Sequence, residues 1–409
     1  MTAERPLEHM RVCMLREADY SMDARARKQA AALTDAGAHV TMVGMGTTVS
    51  PDLIESGYDV HLIDPPVPKL PRLGHEDIWW PLRVAVNLTC TRARERRFRS
   101  SRPYAYVYEP ELYEAAIATR PDIIHAYNSH TLSAAIRVKR ETGARVVYDS
   151  RDLFTDVEYL DEAARQEHRN VEEELICEAD AVITVCEPLA DILQTRYGTC
   201  RPVTIYNGPA EVMTSPSPIH EPVRLLFQGA LQQDRNLAAL AEAAGFLRGR
   251  VILTMQGFGG VGNELRTRVA ELGLDDVVTF VPPASPLQIV ESAWEHDVGV
   301  ITYKADSLNL QNAVPNKLMD YLGAGLALAA SDLPGHRSVL EGTGAAVFID
   351  PSSSETIAEG LSQLVADPAR IAQMKRAALE TAERYAWPVQ AKRLIEVYES
   401  VIATGEVRL

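Results

Sequence analysis

This chain is short of cysteine, of basic charge and of long apolar runs, and each shortage removes a class of protein. Its five cysteines, Cys13, Cys90, Cys177, Cys186 and Cys200, form no CxxC pair and no regular spacing. That excludes a disulfide framework and a zinc cage and leaves reduced thiols, mostly among apolar neighbours. Lys and Arg number 41 against 56 Asp and Glu, a formal net charge of -15. Nucleic-acid binding rests on neutralising phosphates with Lys and Arg, so a nucleic-acid partner is not expected. No apolar stretch approaches the ~20 residues of a membrane span. The opening MTAERPLEHMRVCML lacks the apolar core of a secretory signal, so a cytoplasmic location is expected. No DxD-type carboxylate pair stands at a plausible strand end, so no metal is expected.

What is present is ordinary globular composition, 46% hydrophobic and 24% charged over 409 residues. At about 100–200 residues per domain, that length suggests two or three domains. Short β-branched runs alternate with helical patterns. In the first half the predicted strands are Arg11–Leu15, His39–Met45, Val60–Ile63, Asp122–Tyr127, Arg145–Asp149, Ala181–Val185 and Val203–Tyr206. Between the first two, Ala24–Ala36 carries apolar residues at helical spacing and is closed by Gly37. Such alternation predicts α/β architecture with parallel sheets. Asn207–Pro222, NGPAEVMTSPSPIHEP, reads as an interdomain linker. The pattern then restarts, with strands predicted at Arg224–Gln228, Val251–Met255, Val277–Val281, Val298–Tyr303, Leu326–Ala330 and Ala345–Ile349. The expectation is two Rossmann-like domains facing a cleft, 1–209 and 210–386. A last helix, 387–409, returns to the first domain, with Leu394, Val397, Tyr398 and Val401 on one face.

The most informative stretch is Asn312–Asp332, NAVPNKLMDYLGAGLALAASD. Pro315 opens a helix at its first-turn position, with Lys317 in the same turn. Free N–H groups and the helix dipole make such an end an anion site. Asp320, one turn further in, suits a hydroxyl pair such as a ribose. Gly323 and Gly325 let the helix end close to the next strand. A capped surface helix would carry the same pattern. Gly257, Gly259 and Gly262 spell GxGxxG after the strand VILTMQ. That fingerprint belongs to a first strand unit, whereas here it follows the second strand of the second domain, which argues against a dinucleotide site.

The string PNKLMDYLGAGLALAASDLPG resembles the "P-x-K-hydrophobic-x-E-Y-x-x-A-G-x-P-V-V-A-S-D" signature of retaining glycosyltransferases of the GT-B fold, family 4 in particular. YDSRDLF at Tyr148–Phe154, PDIIHAYNSHTL at Pro121–Leu132, ITVCEPLADIL at Ile183–Leu193, IYNGP at Ile205–Pro209 and the terminal YAWPVQAKRLIEVY match the family in kind and order. The resemblance implies transfer of a glycosyl group from a nucleoside diphosphate sugar, a UDP-sugar being favoured, to an acceptor hydroxyl with retention. No other cofactor is implied. A sugar-nucleotide epimerase of the same fold and a catalytically poor homologue serving as a partner subunit are the alternatives.

Carried over residue by residue, the family's E-x7-E motif falls on Asn312 and Asp320, so both glutamates are replaced. Asp320 keeps a carboxylate for the ribose. Asn312 keeps a polar group toward the donor sugar but not the charge. Pro315, Asn316, Lys317 and Leu318 align with residues whose backbone meets the diphosphate. FQGALQQDRNLAAL at Phe227–Leu240 resembles the family's "G-x-L-x-x-x-R-G-L" loop, which puts Gly229 and Arg235 on the diphosphate. A guanidinium there can chelate phosphate oxygens. Gly257, Phe258 and Pro282 would line the base pocket. Arg235 and Lys317 would supply catalytic charge, with Asn312 and with Tyr127, which takes the place of the family's strand-end histidine.

On the acceptor side, READYSMDARARK replaces the family's glycine-rich loop. Asp19, Tyr20, Arg25, Asn128, His130 and Arg151 are the candidates there. Ile78–Pro103 pairs Trp79 and Trp80 with seven arginines, Arg83, Arg92, Arg94, Arg96, Arg97, Arg99 and Arg102. It reads as an interfacial helix on anionic lipid, as a basic wall for an acceptor, or as a solvated amphipathic face. A small soluble acceptor is preferred over a lipid-linked one, with peripheral membrane contact as the second reading.

Overall fold

The computed structural model describes residues 5–21, 23–47, 49–50, 53, 57–64, 108–285, 288–304 and 306–404. The arginine-rich segment Ile78–Pro103 and its proposed membrane contact lie outside the described residues. The chain divides into two compact units. One comprises Met1–Thr184, Asp191–Val203 and Leu394–Leu409, the other Val185–Ala190 and Thr204–Arg393. The boundary thus falls at 203/204, and Val185–Ala190, expected within 1–209, belong with the second unit.

The first unit is built on β1 (Arg11–Leu15), β2 (His39–Met45), β3 (Asp59–Ile63), β4 (Ile123–Tyr127), β5 (Arg145–Ser150), β6 (Ala181–Thr184) and β7 (Val203–Thr204). They form a sheet of order β3-β2-β1-β4-β5-β6-β7, and β1 to β6 pair in parallel. β4 is buried at all five positions, as a strand sandwiched between helices must be. The second unit carries β8 (Val223–Gln228), β9 (Val251–Gln256), β10 (Val278–Val281), β11 (Val298–Ile301), β12 (Ala327–Ser331) and β13 (Ala346–Ile349). Its order is β10-β9-β8-β11-β12-β13, parallel throughout. In each sheet the order reverses once, beside β1 and β4 in the first and beside β8 and β11 in the second. The carboxyl ends of strands at such a reversal are where open parallel sheets take ligands.

Sequence and structure differ in local detail. Pro315 caps the helix Asn316–Gly323 instead of opening it from within. Gly323 approaches the linker, not the next strand: a side chain there would meet Pro209 and the Glu211 carbonyl within 2.9 Å. The linker itself packs on the second unit. Met213 N donates to the Gly323 carbonyl, Trp294 Nε1 to the Ser215 carbonyl and Lys375 Nζ to Ser217 Oγ. No described helix is long and apolar enough to cross a membrane.

Each unit holds a buried charge network. In the second, Lys375 Nζ lies 3.3 Å from Asp297 Oδ1, both almost fully buried. The backbone N–H groups of His220 and Arg224 donate to the same carboxylate. Burial lowers the Lys375 pKa, and Asp297 offsets it. In the first, Asp149 accepts from Arg25 Nε at 2.9 Å and Gln29 Nε2 at 3.0 Å. His125 Nε2 stands 3.3 Å from Asp149, and His125 Nδ1 2.7 Å from Tyr398 Oη on the helix Trp387–Thr404. Burial opposes the Asp149 charge, yet Arg25 and His125 more than compensate and hold its pKa far below the carboxylate range. A buried pair stripped of one member leaves an uncompensated charge. Lys375→Ala should therefore cost about 3–5 kcal/mol of stability, and Lys375→Met much less if Asp297 is neutralised together with it. Urea denaturation of the single variants and of Lys375→Met/Asp297→Asn checks this. A cost under about 1 kcal/mol for Lys375→Ala would show the pair to be dispensable.

Candidate active site

At the β8/β11 reversal, two glycines bring loops together. Gly257, φ +154°, follows β9, and a Cβ there would lie 1.9 Å from the Gly229 carbonyl oxygen. Gly229, φ +124°, follows β8, and its N–H donates to the Gln256 carbonyl at 2.9 Å. Only residues without a side chain allow this backbone-on-backbone contact. Over Gly229 lies Lys317, whose Cε and Nζ stand 3.4 Å from where a Cβ would be.

The Lys317 ammonium rests on aromatic faces, 3.6 Å from the Phe227 ring centre and 5.6 Å from that of Tyr303. It is 8% exposed and makes no hydrogen bond or ion pair among the described residues. Burial, with Arg235 nearby, pushes its pKa well down, partly offset by Asp234 and Asp320. The Arg235 guanidinium lies 4.0 Å from the centre of the same Tyr303 ring and pairs with Asp234 at 3.0 Å. Two cations that share one aromatic ring each gain about 0.5–2 kcal/mol from such contacts but repel each other. An anion between them would relieve that repulsion. The helix Asn316–Gly323 begins here without a side-chain cap. Its first N–H groups, those of Asn316 and Lys317, have no intrahelical acceptor.

Two family models match the chain, "Glycosyltransferase Family 4" over residues 28–209 and "Glycosyl transferases group 1" over residues 213–381. The chain belongs to the family 4 type of GT-B glycosyltransferases. Among curated relatives, the D-inositol 3-phosphate glycosyltransferase of Thermobispora bispora is 28% identical over 44% of this chain and 43% of its own length. That of Corynebacterium aurimucosum is 24% identical over 69% of this chain and 67% of its own. The match thus spans less than half the length of the first. Among solved structures, sucrose-phosphate synthase of Thermosynechococcus elongatus superposes with a TM-score of 0.69 at 16% identity, covering 97% of this chain and all of that one. Anabaena HepE, solved in complex with UDP and glucose, gives 0.69 at 14% identity over 96% of this chain and 100% of its own. At such identities the likeness establishes the GT-B fold.

Within this glycosyltransferase the residues singled out from sequence divide into those gathered at the strand ends and those spent in the core. Gly229, Arg235, Gly257, Pro315, Asn316 and Lys317 surround the β8 end. Phe258 and Pro282 follow β9 and β10 and are exposed, Phe258 at 63%. Asp320 is half-buried on the same helix as Lys317. The Leu318 amide is not available: it donates to the Pro315 carbonyl at 2.9 Å. Asn312 ends the helix Leu308–Asn312 and spends its side-chain N–H on the Leu308 carbonyl at 2.8 Å. The contributions of Phe227 and Tyr303 are not visible as motifs; Tyr303 ends a predicted strand and Phe227 stands one residue before the end of another, and strand ends at a reversal are the signal that finds them.

In the first unit, three expectations are corrected. Tyr127 is fully buried, its hydroxyl donating to Gln29 Oε1 at 2.6 Å, with its pKa raised well up by burial, so it is a core residue and not a catalytic one. Tyr20 is fully buried against the Met14 and Val43 carbonyls. Arg25 is consumed by Asp149. Short spacing from a strand end did not distinguish side chains aimed outward from those aimed into the sheet. Asn128, His130 and Arg151 do lie at the β4 and β5 ends, and Asp19 is exposed. Asn128, φ +58°, accepts the Arg151 N–H at 3.1 Å, which fixes where that side chain starts.

His130 and His168 stack edge on, 4.5 Å between centres. Burial lowers His130 to about 4, and burial with His130 beside it lowers His168 to about 3. Their folded pKa values lie below the unfolded value near 6.5, so the unfolded chain binds more protons as pH falls through that window. Stability of the first unit should therefore fall between about pH 6.5 and pH 4, and His168→Leu should flatten the slope. Urea midpoints across that range check it; an unchanged slope in the variant would show that His168 does not titrate as described.

Proposed function

We propose that the chain moves a glycosyl group from a nucleoside diphosphate sugar, UDP-sugars preferred, to an acceptor hydroxyl with retention at the anomeric carbon. The observation that carries this reading is the pair Lys317 and Arg235 on Tyr303, above a glycine turn and an uncapped helix start. That set is built for a diphosphate: two cations, open N–H groups, and no side chain at Gly229 to obstruct approach. HepE's complex with UDP and glucose supports the choice of donor.

In the reaction, the bond between the anomeric carbon and the diphosphate oxygen breaks and a bond to the acceptor oxygen forms. The departing diphosphate takes the acceptor's proton. Charge grows on the leaving oxygens, where Lys317 Nζ and the Arg235 guanidinium stabilise it more than in the ground state. Asp320 holds the ribose hydroxyls, Pro315 and Asn316 shape the phosphate turn, and Gly257, Phe258 and Pro282 border the base. Asn312 carries no charge and is given no electrostatic role. The cations do the work of a metal, so none is required.

Arg235→Ala and Lys317→Ala should each cut turnover by about two or more orders of magnitude, measured as UDP released from UDP-glucose with an acceptor mixture. Near-normal turnover in both would sink the assignment. Conversion of the donor to an epimeric UDP-sugar, with no acceptor and no net release of UDP, would point to an epimerase. Turnover should also persist in excess chelator; complete loss, restored by Mg²⁺ or Mn²⁺, would contradict a metal-free mechanism.

A further inference from the structure

Directly after β1, β4 and β5, four titratable side chains hold buried polar atoms with no hydrogen-bond partner among the described residues. They are Glu17 Oε2, His130 Nδ1, Arg16 Nε and Arg151 Nε. Arg16 and Glu17 follow β1, His130 lies just past β4, and Arg151 follows β5, so the four flank the β1/β4 reversal where a ligand is expected. Buried polar groups are normally satisfied. Four left open together call for a polar guest.

The charge arrangement says which kind. Both guanidiniums converge on one carboxylate, Arg16 at 2.8 Å and Arg151 at 2.5 Å from Asp23 Oδ2. Arg16 also donates to the Asp19 carbonyl at 2.6 Å. Glu17 stands 3.8 Å from His130, beyond hydrogen-bond reach of it; burial raises its pKa, and Arg151 and Arg16 beside it oppose that rise. Asp152, next to Arg151, adds another carboxylate whose field reaches Glu17 and Asp23. Two guanidiniums thus face three carboxylates. A phosphate dianion only accepts hydrogen bonds and is repelled by an ionised Glu17, which also only accepts. A hydroxyl donates to Glu17 and accepts from a guanidinium Nε at once.

We propose that this cluster binds the acceptor of the glycosyl transfer argued above and selects an uncharged polyol over its phosphate ester, with Glu17 setting that preference. It would separate this chain from relatives named for a phosphorylated inositol.

Calorimetric titration of the full chain with myo-inositol and glucose, and with the monophosphate of each, tests this. At least one neutral probe should bind about tenfold or more tightly than its ester. Glu17→Gln should weaken that probe about tenfold, the scale of a charged hydrogen bond, and Glu17→Lys should turn the preference toward the ester. UDP binding should be unchanged in both variants, and an unchanged urea midpoint reports that the first unit, which carries Glu17, still folds. Tighter binding of the esters to the wild type, binding of no neutral probe, or indifference to Glu17 would each overturn the proposal. Since polyol binding is read apart from turnover, its failure is distinct from failure of the Arg235 and Lys317 variants.

Discussion

Tyr321 is the residue on which the geometry of the second unit's site rests. Its ring occupies the space beside Gly299 of β11, where a Cβ would come within 2.2 Å of it. Its hydroxyl accepts the Gln228 N–H at 2.8 Å and approaches the Leu226 carbonyl at 3.3 Å. One side chain therefore locks the Lys317-bearing helix to the end of β8 immediately before Gly229. The cations, the glycine turn and the helix start keep their spacing because this buried phenol cannot shift without losing its hydrogen bonds. Preorganisation of that kind is what lets fixed charges act on a transition state without first rearranging.

The strands of both sheets were readable from sequence to within a residue or two at most ends, because fully buried parallel strands leave continuous β-branched runs such as Ile123–Tyr127. That Gly229, Gly257, Arg235 and Lys317 stand together was readable too, since a tight turn and a helix start impose residue types at fixed spacing. Side-chain direction was not. Tyr20, Arg25 and Tyr127 stand near strand ends in the sequence, yet their partners Val43, Asp149 and Gln29 lie far along the chain, and spacing carries no record of them. The cluster of Arg16, Glu17 and Asp23 went unread for the same reason: nothing local says that Arg151, 128 residues on, shares Asp23.

The two units use buried charge for opposite ends. Asp297 and Asp149 are saturated, the first by Lys375 and two backbone N–H groups, the second by Arg25, Gln29 and His125. Such groups fix one arrangement of strands and helices and offer nothing to a ligand. Lys317 and Glu17 are the reverse, charges buried among groups that leave them incomplete. The incomplete groups stand at the strand-order reversals and the saturated ones do not take part in them, so burial alone does not mark a site.

The contact between His125 and Tyr398 joins residues 273 positions apart. A chain emerging from the ribosome must therefore make all of the second unit before the first can close its own core. Until then His125 lacks its Tyr398 partner, in a segment that has already been synthesised. The helix that carries Tyr398 acts as a completion signal: a unit begun before its neighbour becomes whole only after it.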